Sequence, residues 1–509
     1  MQKSVLEYLE EGAASVPDRI LFADEKNELS YAQFADTAKR VGSGLIEVMQ
    51  GQTRRPVAVL IDRSVQPLAG FFGTVYSGNF YVPVDRRMPV ERIRLILDTL
   101  EAKVLLAKKG DERLLGQLEY EGTVCFLDDL SECEINADAL MQVEQQQLDT
   151  DPLYAIFTSG STGVPKGVLV AHRSVLDLAD QFRSEFAFDE TCVFGNQAPF
   201  DFDVSVKDIY SALRNRATMY VIPQVKFSFP VKLIEYLNEK KINTIIWAVS
   251  ALRIIENLKG FSGEIPQYLR RVMFSGEVMP VKVLNYWRHY LPDVKFVNLY
   301  GPTEITCNCT FYKIEREYAE EETLPIGIPF RNCSVFLLDG DQLITEPGAV
   351  GEICVKGTCL ALGYYNNPQK TAEAFCQNPL NHAYPEWIYR TGDIGRYDEN
   401  GQLVFASRKD AQIKHMGHRI ELGEIEVAVN ALEFLEAGVC VYEKENIVLC
   451  YQSETACEKE ILRALGKKLP KYMLPTKFLW YNTLPTNKNG KIDRVVLAGE
   501  VRKSMAQPG

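Results

Sequence analysis

Through the first two-thirds of the chain, short runs of β-branched and apolar residues alternate with longer segments whose apolar residues recur at helical spacing. The short runs predict strands at Val57–Ile61, Lys103–Ala107, Val124–Leu127, Thr218–Ile222, Thr244–Ala248 and Phe296–Asn298. The longer segments predict helices at Pro89–Glu101, Val231–Lys240 and Val281–Tyr290. Strands that alternate with helices favour layered α/β structure with largely parallel sheets.

The pattern changes after about Leu324, where Gly, Pro and Asn separate short strands at Ser334–Leu338, Gly351–Lys356 and Gly401–Phe405. This texture predicts a β-rich, barrel-like part. A mixed segment with its own apolar runs follows Ser407. We therefore predict an α/β, multi-domain α+β chain with a large core at 1–406 and a small, mobile C-terminal α+β domain at 407–509.

Composition and charge narrow the class of protein. The 509 residues are 46% hydrophobic and 24% charged, as in ordinary globular proteins. The 56 basic residues against 68 acidic ones give a net charge of −12, which argues against nucleic acid or an anionic membrane as a partner. The sequence has no stretch of about 18 apolar residues, so we predict no segment that spans a membrane. The 12 cysteines form no CxxC pair and the 5 histidines lack zinc spacing, so we expect a reduced, cytoplasmic protein.

The strongest local signal is the loop Thr158-Ser-Gly-Ser-Thr-Gly-Val-Pro-Lys-Gly167, which lies between two strand-like runs. It offers backbone N–H groups, hydroxyls and one cation, a combination suited to polyphosphate. It is not a P-loop, because Lys166 is followed by Gly167 and a strand rather than by Ser or Thr and a helix. A flexible Gly/Ser hairpin loop is the alternative interpretation.

This loop resembles the phosphate loop of the adenylate-forming superfamily, which includes acyl-CoA synthetases, luciferases and the adenylation domains of nonribosomal peptide synthetases. Further segments follow in that family's order: Leu29-Ser-Tyr31, Tyr76-Ser-Gly-Asn-Phe-Tyr-Val-Pro-Val-Asp85, Asn298-Leu-Tyr-Gly-Pro-Thr-Glu304, Tyr389-Arg-Thr-Gly-Asp393, Arg408-Lys-Asp-Ala-Gln-Ile-Lys414, Gly417-His-Arg-Ile-Glu-Leu-Gly-Glu-Ile-Glu426, Leu469-Pro-Lys-Tyr-Met-Leu-Pro475 and Asn489-Gly-Lys-Ile-Asp-Arg494. The resemblance is strongest to stand-alone amino-acid adenylation enzymes such as D-alanine–carrier-protein ligases. It rests there on the pocket-like segments Asn196–Tyr210 and Phe274–Pro280.

The resemblance implies an ATP site. Asn298 and Tyr300 would hold the adenine, Thr303 would meet the α-phosphate, Asp393 would accept from the ribose hydroxyls, and Arg408 would approach the ribose or phosphate. The full predicted nucleotide site is Thr158, Ser159, Gly160, Ser161, Thr162, Gly163, Asn298, Leu299, Tyr300, Gly301, Pro302, Thr303, Asp393 and Arg408.

The resemblance also implies the catalytic groups Lys491, Glu304 and Lys166. Glu304 would ligate Mg²⁺, and Lys491 would neutralise charge between the substrate carboxylate and the α-phosphate. No general base is needed, because a carboxylate is already a nucleophile and catalysis is positioning plus electrostatics. Asp410 matches the family's hinge, about which the small domain would rotate between two half-reactions, whereas Ser407 stands where the family usually has Gly. Surface carboxylate and surface lysine are the alternatives for Glu304 and Lys491.

Asp203 occupies the position at which amino-acid-activating members bind the substrate ammonium, which favours an amino acid over a fatty or aromatic acid. The aligned substrate pocket is Asp203, Val204, Lys207, Ile246, Met273, Ser275, Leu299, Cys307 and Asn308. Lys207 is unusual there. Because it lies four residues after Asp203, it could pair with that carboxylate or reach solvent; the alternative is that it reads a polar or acidic substrate side chain.

These assignments predict ATP-dependent activation of an amino acid to an aminoacyl-adenylate, with release of pyrophosphate. Transfer to a phosphopantetheine thiol would follow, and we expect a separate carrier protein because no Gly-Gly-x-Ser attachment site is present. An acyl- or aryl-CoA synthetase is the alternative enzyme, disfavoured by Asp203. A catalytically silent nucleotide-binding scaffold is disfavoured by Lys166, Glu304, Asp393 and Lys491 together.

Overall fold

The computed structural model describes residues 2–160, 163–409, 412–486 and 492–506. Its strands, in chain order, are β1 (Ile20–Ala23), β2 (Glu28–Ser30), β3 (Pro56–Ile61), β4 (Phe80–Asp85), β5 (Val104–Ala107), β6 (Thr123–Phe126), β7 (Pro152–Thr158), β8 (Lys166–Ala171), β9 (Val193–Asn196), β10 (Thr218–Val221), β11 (Thr244–Ala248), β12 (Arg271–Ser275), β13 (Lys295–Tyr300), β14 (Thr310–Lys313), β15 (Ile328–Pro329), β16 (Cys333–Asp339), β17 (Gln342–Ile344), β18 (Val350–Gly357), β19 (Gly363–Tyr364), β20 (Phe375–Gln377), β21 (Trp387–Tyr397), β22 (Leu403–Arg408), β23 (Gln412–His415), β24 (His418–Glu421), β25 (Ala437–Glu443), β26 (Asn446–Gln452) and β27 (Lys477–Tyr481).

The helices are α1 (Leu6–Ser15), α2 (Tyr31–Val48), α3 (Gln66–Tyr76), α4 (Val90–Leu100), α5 (Glu112–Leu118), α6 (Leu127–Leu130), α7 (Ala137–Gln146), α8 (His172–Phe186), α9 (Val204–Asn215), α10 (Pro230–Glu239), α11 (Val249–Asn257), α12 (Val281–Tyr290), α13 (Pro368–Ala374), α14 (Leu422–Asn430), α15 (Glu458–Leu465) and α16 (Arg494–Ala506). The predicted strands and helices of the first two-thirds are all found, with ends that differ by at most two residues.

Two large sheets organise the first part of the chain. One has the order β15-β14-β13-β12-β11-β9-β10-β1-β2, and the other β19-β8-β7-β4-β3-β5-β6. In the first sheet, the neighbouring strands in the run β13-β12-β11-β9-β10-β1 are parallel, and β2 pairs with β1 as an antiparallel hairpin. In the second sheet, the neighbouring strands in the run β7-β4-β3-β5-β6 are parallel. β3 and β11 are buried along their whole length, which explains why their sequences are continuous apolar runs. The predicted α/β class is confirmed.

The predicted β-rich part is an antiparallel sheet with the order β17-β16-β18-β21-β20, in which β22 pairs with β21. In that pairing Arg408 lies directly opposite Asp393. The predicted boundary between residues 406 and 407 falls within β22, and the division into two domains stays a prediction.

The last part begins with the hairpin β23–β24, followed by α14 and the three-stranded sheet β25-β26-β27. It has apolar clusters of its own, centred on side chains such as Ile425, Leu449 and Ile461. Met416 and Gly417 join the hairpin strands, and both have positive φ (52° and 82°), as a two-residue type I′ turn requires. The Gly417 N–H donates to Glu277 Oε1 at 2.8 Å, so the turn is anchored on the large part of the chain. Among the described residues, no helix is long and apolar enough to cross a membrane.

Candidate active site

The centre of the site is Glu304, which lies in a short 3-10 turn (Thr303–Ile305) directly after β13 and is fully buried. Its Oε1 accepts from the Tyr364 hydroxyl at 2.7 Å and lies 3.6 Å from Lys166 Nζ, and its Oε2 accepts from Arg419 Nη1 at 2.6 Å. Burial by itself would raise the pKa of Glu304, but the charges of Arg419 and Lys166 lower it to about 2. Glu304 is therefore an ionised carboxylate at neutral pH.

Lys166 begins β8, at the far side of the phosphate loop, and its ammonium lies beside Glu304. Its Nζ lies 4.8 Å from the centre of the Tyr364 ring, a cation–π distance. Burial and the charge of Arg419 lower the pKa of Lys166, whereas Glu304 opposes them. The ammonium thus has an anion on one side and an aromatic face on another.

The described part of the phosphate loop is held by β24 and α14. Ser159 Oγ donates to the Arg419 carbonyl at 2.8 Å, and the Gly160 N–H donates to Glu424 Oε2 at 3.1 Å. Glu424 also forms a buried ion pair with Arg92 of α4. Gly163 has a φ of 83°, and a Cβ there would lie 3.1 Å from Val427 of α14.

The predicted loop residues Ser161 and Thr162 lie outside the described residues. Thr158 Oγ1 is buried and has no hydrogen-bond partner in the described part of the chain.

A cavity of about 420 Å³ opens beside the ends of β12 and β13. This lies in the ~300–1,000 Å³ range of small-molecule sites. Asn298, Leu299, Tyr300, Asp393 and Arg408 line it, so five predicted nucleotide-site residues meet there. Asn298 Nδ2 donates to the Pro325 carbonyl at 2.8 Å.

Asp393 is the most heavily engaged side chain of this cavity. Its Oδ2 accepts from the Tyr300 hydroxyl at 2.6 Å, and its Oδ1 pairs with the Arg408 guanidinium. Burial and Asp393 raise the pKa of Tyr300 well above its usual value, so the phenol remains a hydrogen-bond donor. Because a carboxylate can accept about four hydrogen bonds, these two partners leave acceptor positions on Asp393.

A second, smaller cavity of about 40 Å³ adjoins the first; Gly276, Asp393, Arg408 and Lys414 line both. The predicted residues Asp203, Val204, Ser275, Gly301, Pro302, Thr303 and Cys307 line it. Asp203, at the start of α9, is 6% exposed. Burial raises its pKa, and the Thr303 hydroxyl and the Lys207 charge act in the opposite direction.

The other predicted pocket residues do not line the small cavity. Ile246 and Met273 are fully buried within β11 and β12. Leu299 faces the large cavity. Asn308 lines a separate void of about 10 Å³, and neither polar atom of its side chain has a hydrogen-bond partner among the described residues. Lys207 does not reach solvent: it is 1% exposed, and its Nζ donates to Ser275 Oγ at 2.8 Å.

The AMP-binding enzyme family matches residues 9–365. This chain belongs to that family. The resemblance seen in the sequence motifs is thereby confirmed.

Two named relatives resemble the chain in sequence, and two solved structures resemble it in fold. A D-alanine–D-alanyl carrier protein ligase from Bacillus velezensis is 31% identical over 510 residues, covering 98% of this chain and 99% of the relative. Tyrocidine synthase 1 from Brevibacillus parabrevis is 31% identical over 502 residues, 97% of this chain, but the chain spans only 45% of that synthase.

The structures are the Vibrio cholerae adenylation domain AlmE in complex with glycyl-adenosine-5'-phosphate and the protein IdnL1. AlmE aligns with a TM-score of 0.84 at 21% identity, covering 99% of this chain and 98% of that one. IdnL1 aligns with a TM-score of 0.79 at 25% identity, covering 95% and 99%.

Two cations of this family member were not assigned a role by the sequence motifs. Lys414 and Arg419 lie directly opposite each other on the hairpin β23–β24. Like charges at such positions destabilise a sheet unless an anion lies nearby. Here Arg419 pairs with Glu304, and Lys414 Nζ lies 5.9 Å from the centre of the Tyr300 ring. Burial lowers the pKa of Lys414, opposed by Asp393 and Asp203. The facing pair of cations was the signal available in the sequence.

The remaining predicted residues, Lys491 and the hinge residue Asp410, lie outside the described residues. Of the chain next to Lys491, Arg494 pairs with Glu426 of α14 at 2.7 Å. The roles of Lys491 and Asp410 therefore stay predictions.

Proposed function

We propose that this protein activates an amino acid with ATP and then transfers the aminoacyl group to the phosphopantetheine thiol of a separate carrier protein. The observation that carries the proposal is the position of Asp203. Its buried carboxylate lies in a small cavity that adjoins the nucleotide-sized cavity of Tyr300 and Asp393. A relative named as a carrier protein ligase, matched over nearly its full length, supports the same activity.

In the first half-reaction, a carboxylate oxygen of the amino acid attacks the α-phosphorus of ATP, a P–O bond forms, and pyrophosphate leaves with the electrons of the broken P–O bond. Asp203 holds the substrate ammonium and so aims its carboxylate at the nucleotide. Thr303 lines the small cavity, and we assign its hydroxyl to the α-phosphate. Lys166 offers positive charge on the phosphate-loop side. This is catalysis by positioning and fixed charge.

Glu304 is the residue we assign to Mg²⁺, because one carboxylate together with substrate phosphates is a common Mg²⁺ donor set. When bound, Mg²⁺ would neutralise phosphate charge. Both oxygens of Glu304 are engaged by Tyr364, Lys166 and Arg419 in this structure. We propose that Arg419 withdraws from Glu304 when Mg²⁺ binds, because the positive charge of the guanidinium repels the metal ion.

We assign the described orientation of β23–β24 and α14 to the second half-reaction. Arg419 pairs with Glu304, and Glu424 accepts from the Gly160 N–H, so protein side chains engage the groups that we assign to Mg²⁺ and phosphate in this orientation. In this step the carrier thiolate attacks the carbonyl carbon of the adenylate, a C–S bond forms, and AMP leaves as the C–O bond breaks. Lys414 and Arg419 supply positive charge beside the departing phosphate. Rotation about Asp410 between the two orientations is part of this proposal.

Amino-acid-dependent exchange of labelled pyrophosphate into ATP tests the first half-reaction, and mass spectrometry of a phosphopantetheinylated carrier tests the second. We expect both signals with an amino acid. Thioester formation from fatty or aryl acids and coenzyme A, with no exchange by amino acids, would instead establish the acyl- or aryl-CoA synthetase. Nucleotide binding without either reaction would establish the silent scaffold. A cytoplasmic location fits the twelve unpaired cysteines.

A further inference from the structure

Lys207 is a buried cation that the proposed mechanism does not use. It lies on the first turn of α9 and is 1% exposed. Its Nζ donates to Ser275 Oγ at 2.8 Å, and no carboxylate of the described residues lies within ion-pair distance of it. An ammonium this deeply buried is costly unless hydrogen bonds and nearby negative charge offset its lost hydration.

The position of Lys207 relative to the small cavity indicates its structural role. Ser275 and Cys307 line the cavity, whereas Lys207 does not. Lys207 touches Ser275 from behind and, through its charge, acts on the Cys307 thiol. It therefore supports the floor of the cavity rather than facing the substrate.

The space above this floor is small. The cavity measures about 40 Å³. At roughly 10–15 Å³ for each water molecule, this is room for about three waters. Part of it adjoins Asp393 and Lys414, on the nucleotide side. Little room is left for a side chain next to Asp203.

The charges around Lys207 argue against an acidic substrate side chain. Lys207 lowers the pKa of two carboxyl groups, Asp203 and Asp208, although burial dominates both and raises the pKa of Asp208 to about 7. With the substrate ammonium on Asp203, a carboxylate in the substrate side chain would compete with Asp208 for the single Lys207 ammonium, which is unfavourable in a dry pocket. A long apolar side chain would in turn exceed the space of this cavity, which measures about 40 Å³.

We propose that Lys207 is a positioning residue that braces Ser275 and limits the substrate to an amino acid with a short, uncharged side chain, namely glycine, alanine or serine. The inference rests on the proposed function. It contradicts the alternative in which Lys207 recognises an acidic side chain of the substrate.

Pyrophosphate exchange over a panel of amino acids tests the inference with the wild-type protein alone. The panel holds glycine, both enantiomers of alanine and serine, valine, leucine, phenylalanine, aspartate and glutamate. We expect glycine, alanine or serine to exceed valine by about 10-fold or more, as pockets discriminate single methylenes by ~10–200-fold. Highest exchange with aspartate, glutamate, leucine or phenylalanine would overturn the inference alone. No exchange with any amino acid would overturn the proposed function as well.

Two variants separate size from charge. Lys207→Met keeps the length of the side chain and removes its charge, so the preference for short side chains should persist. Lys207→Ala removes the brace, so the ratio of valine to alanine exchange should rise by about 10-fold or more. The ratio is measured within one preparation, so partial loss of folded protein cancels from it. A ratio unchanged in Lys207→Ala, or a preference lost in Lys207→Met, would contradict the bracing role.

Discussion

Replacing Glu424 by glutamine removes one buried charge from the contact that joins α14 to the phosphate loop. The carboxylate pairs with Arg92 and accepts the Gly160 N–H, and the two charged side chains are only 1% and 6% exposed. Removing one partner of a buried ion pair costs about 3–5 kcal/mol, because the other charge is left buried and unpaired. Glutamine still offers an oxygen to Arg92, so we take the lower value, about 3 kcal/mol.

This contact joins α14 to the phosphate loop and α4. The lost free energy should therefore lower the population in which these parts are associated, rather than the stability of either part against unfolding. At about 1.4 kcal/mol for each factor of ten, 3 kcal/mol lowers the associated population relative to the separated one by roughly 100-fold. We therefore expect carrier loading to slow by up to about this factor, while pyrophosphate exchange changes little. Hydrogen exchange of the Ser159–Gly160 amides should become faster in the same variant.

Glu443→Gln is the matched control, since Glu443 pairs with an Arg502 side chain that is 70% exposed. An exposed pair contributes about 0–1 kcal/mol, so neither half-reaction should change appreciably. The reasoning fails if Glu424→Gln slows pyrophosphate exchange as much as loading. It also fails if amide exchange at Ser159–Gly160 stays at the wild-type rate.

Three further predictions follow from other parts of the structure. Asp203→Asn removes the anion for the substrate ammonium, so the KM for the amino acid in pyrophosphate exchange should rise by about 10- to 100-fold. The affinity for ATP, measured by calorimetry, should not change. Equal loss of amino-acid and ATP binding would argue against the assignment. Gly417→Ala places a Cβ at positive φ (82°) and 3.2 Å from the Ala248 Cβ. This conformation costs about 1–2 kcal/mol for a residue with a Cβ, so the variant should load the carrier more slowly. Loading at the wild-type rate would contradict the role of the turn. Burial lowers the pKa of His172 to about 4, so the unfolded chain, with a pKa near 6.5, binds more protons between those values and stability falls as pH falls through that window. His172→Gln should flatten the dependence of Tm on pH there, whereas the exposed His382→Gln should leave it unchanged; an identical slope in both variants would refute the reasoning.

Much of the fold could be predicted from local pattern. The runs at Val57–Ile61 and Thr244–Ala248 are apolar throughout because both faces of these strands are buried, and they appear as β3 and β11. The phosphate-loop motif located Lys166, and the Asn298–Glu304 motif located the carboxylate beside it. The strands follow from the sequence because burial of both faces produces a local apolar pattern. The two site residues follow from the resemblance of their motifs to those of the family.

The roles of Lys414, Arg419 and Glu424 could not be predicted in the same way. Each depends on how the hairpin β23–β24 and α14 lie against residues more than a hundred positions away, such as Glu304 and Gly160. The spacing from Asp203 left the direction of Lys207 open, and packing against Ser275 decides it.

The sequence by itself determined the alternation of strands and helices, the family and the candidate residues of the nucleotide site. Only the tertiary structure decided which charges neutralise one another: Arg419 on Glu304, Arg408 on Asp393 and Arg92 on Glu424. The physical reason is that hydrophobic periodicity acts over a few residues. Electrostatic interaction depends on distance and burial in space, which the chain sets only when it has folded.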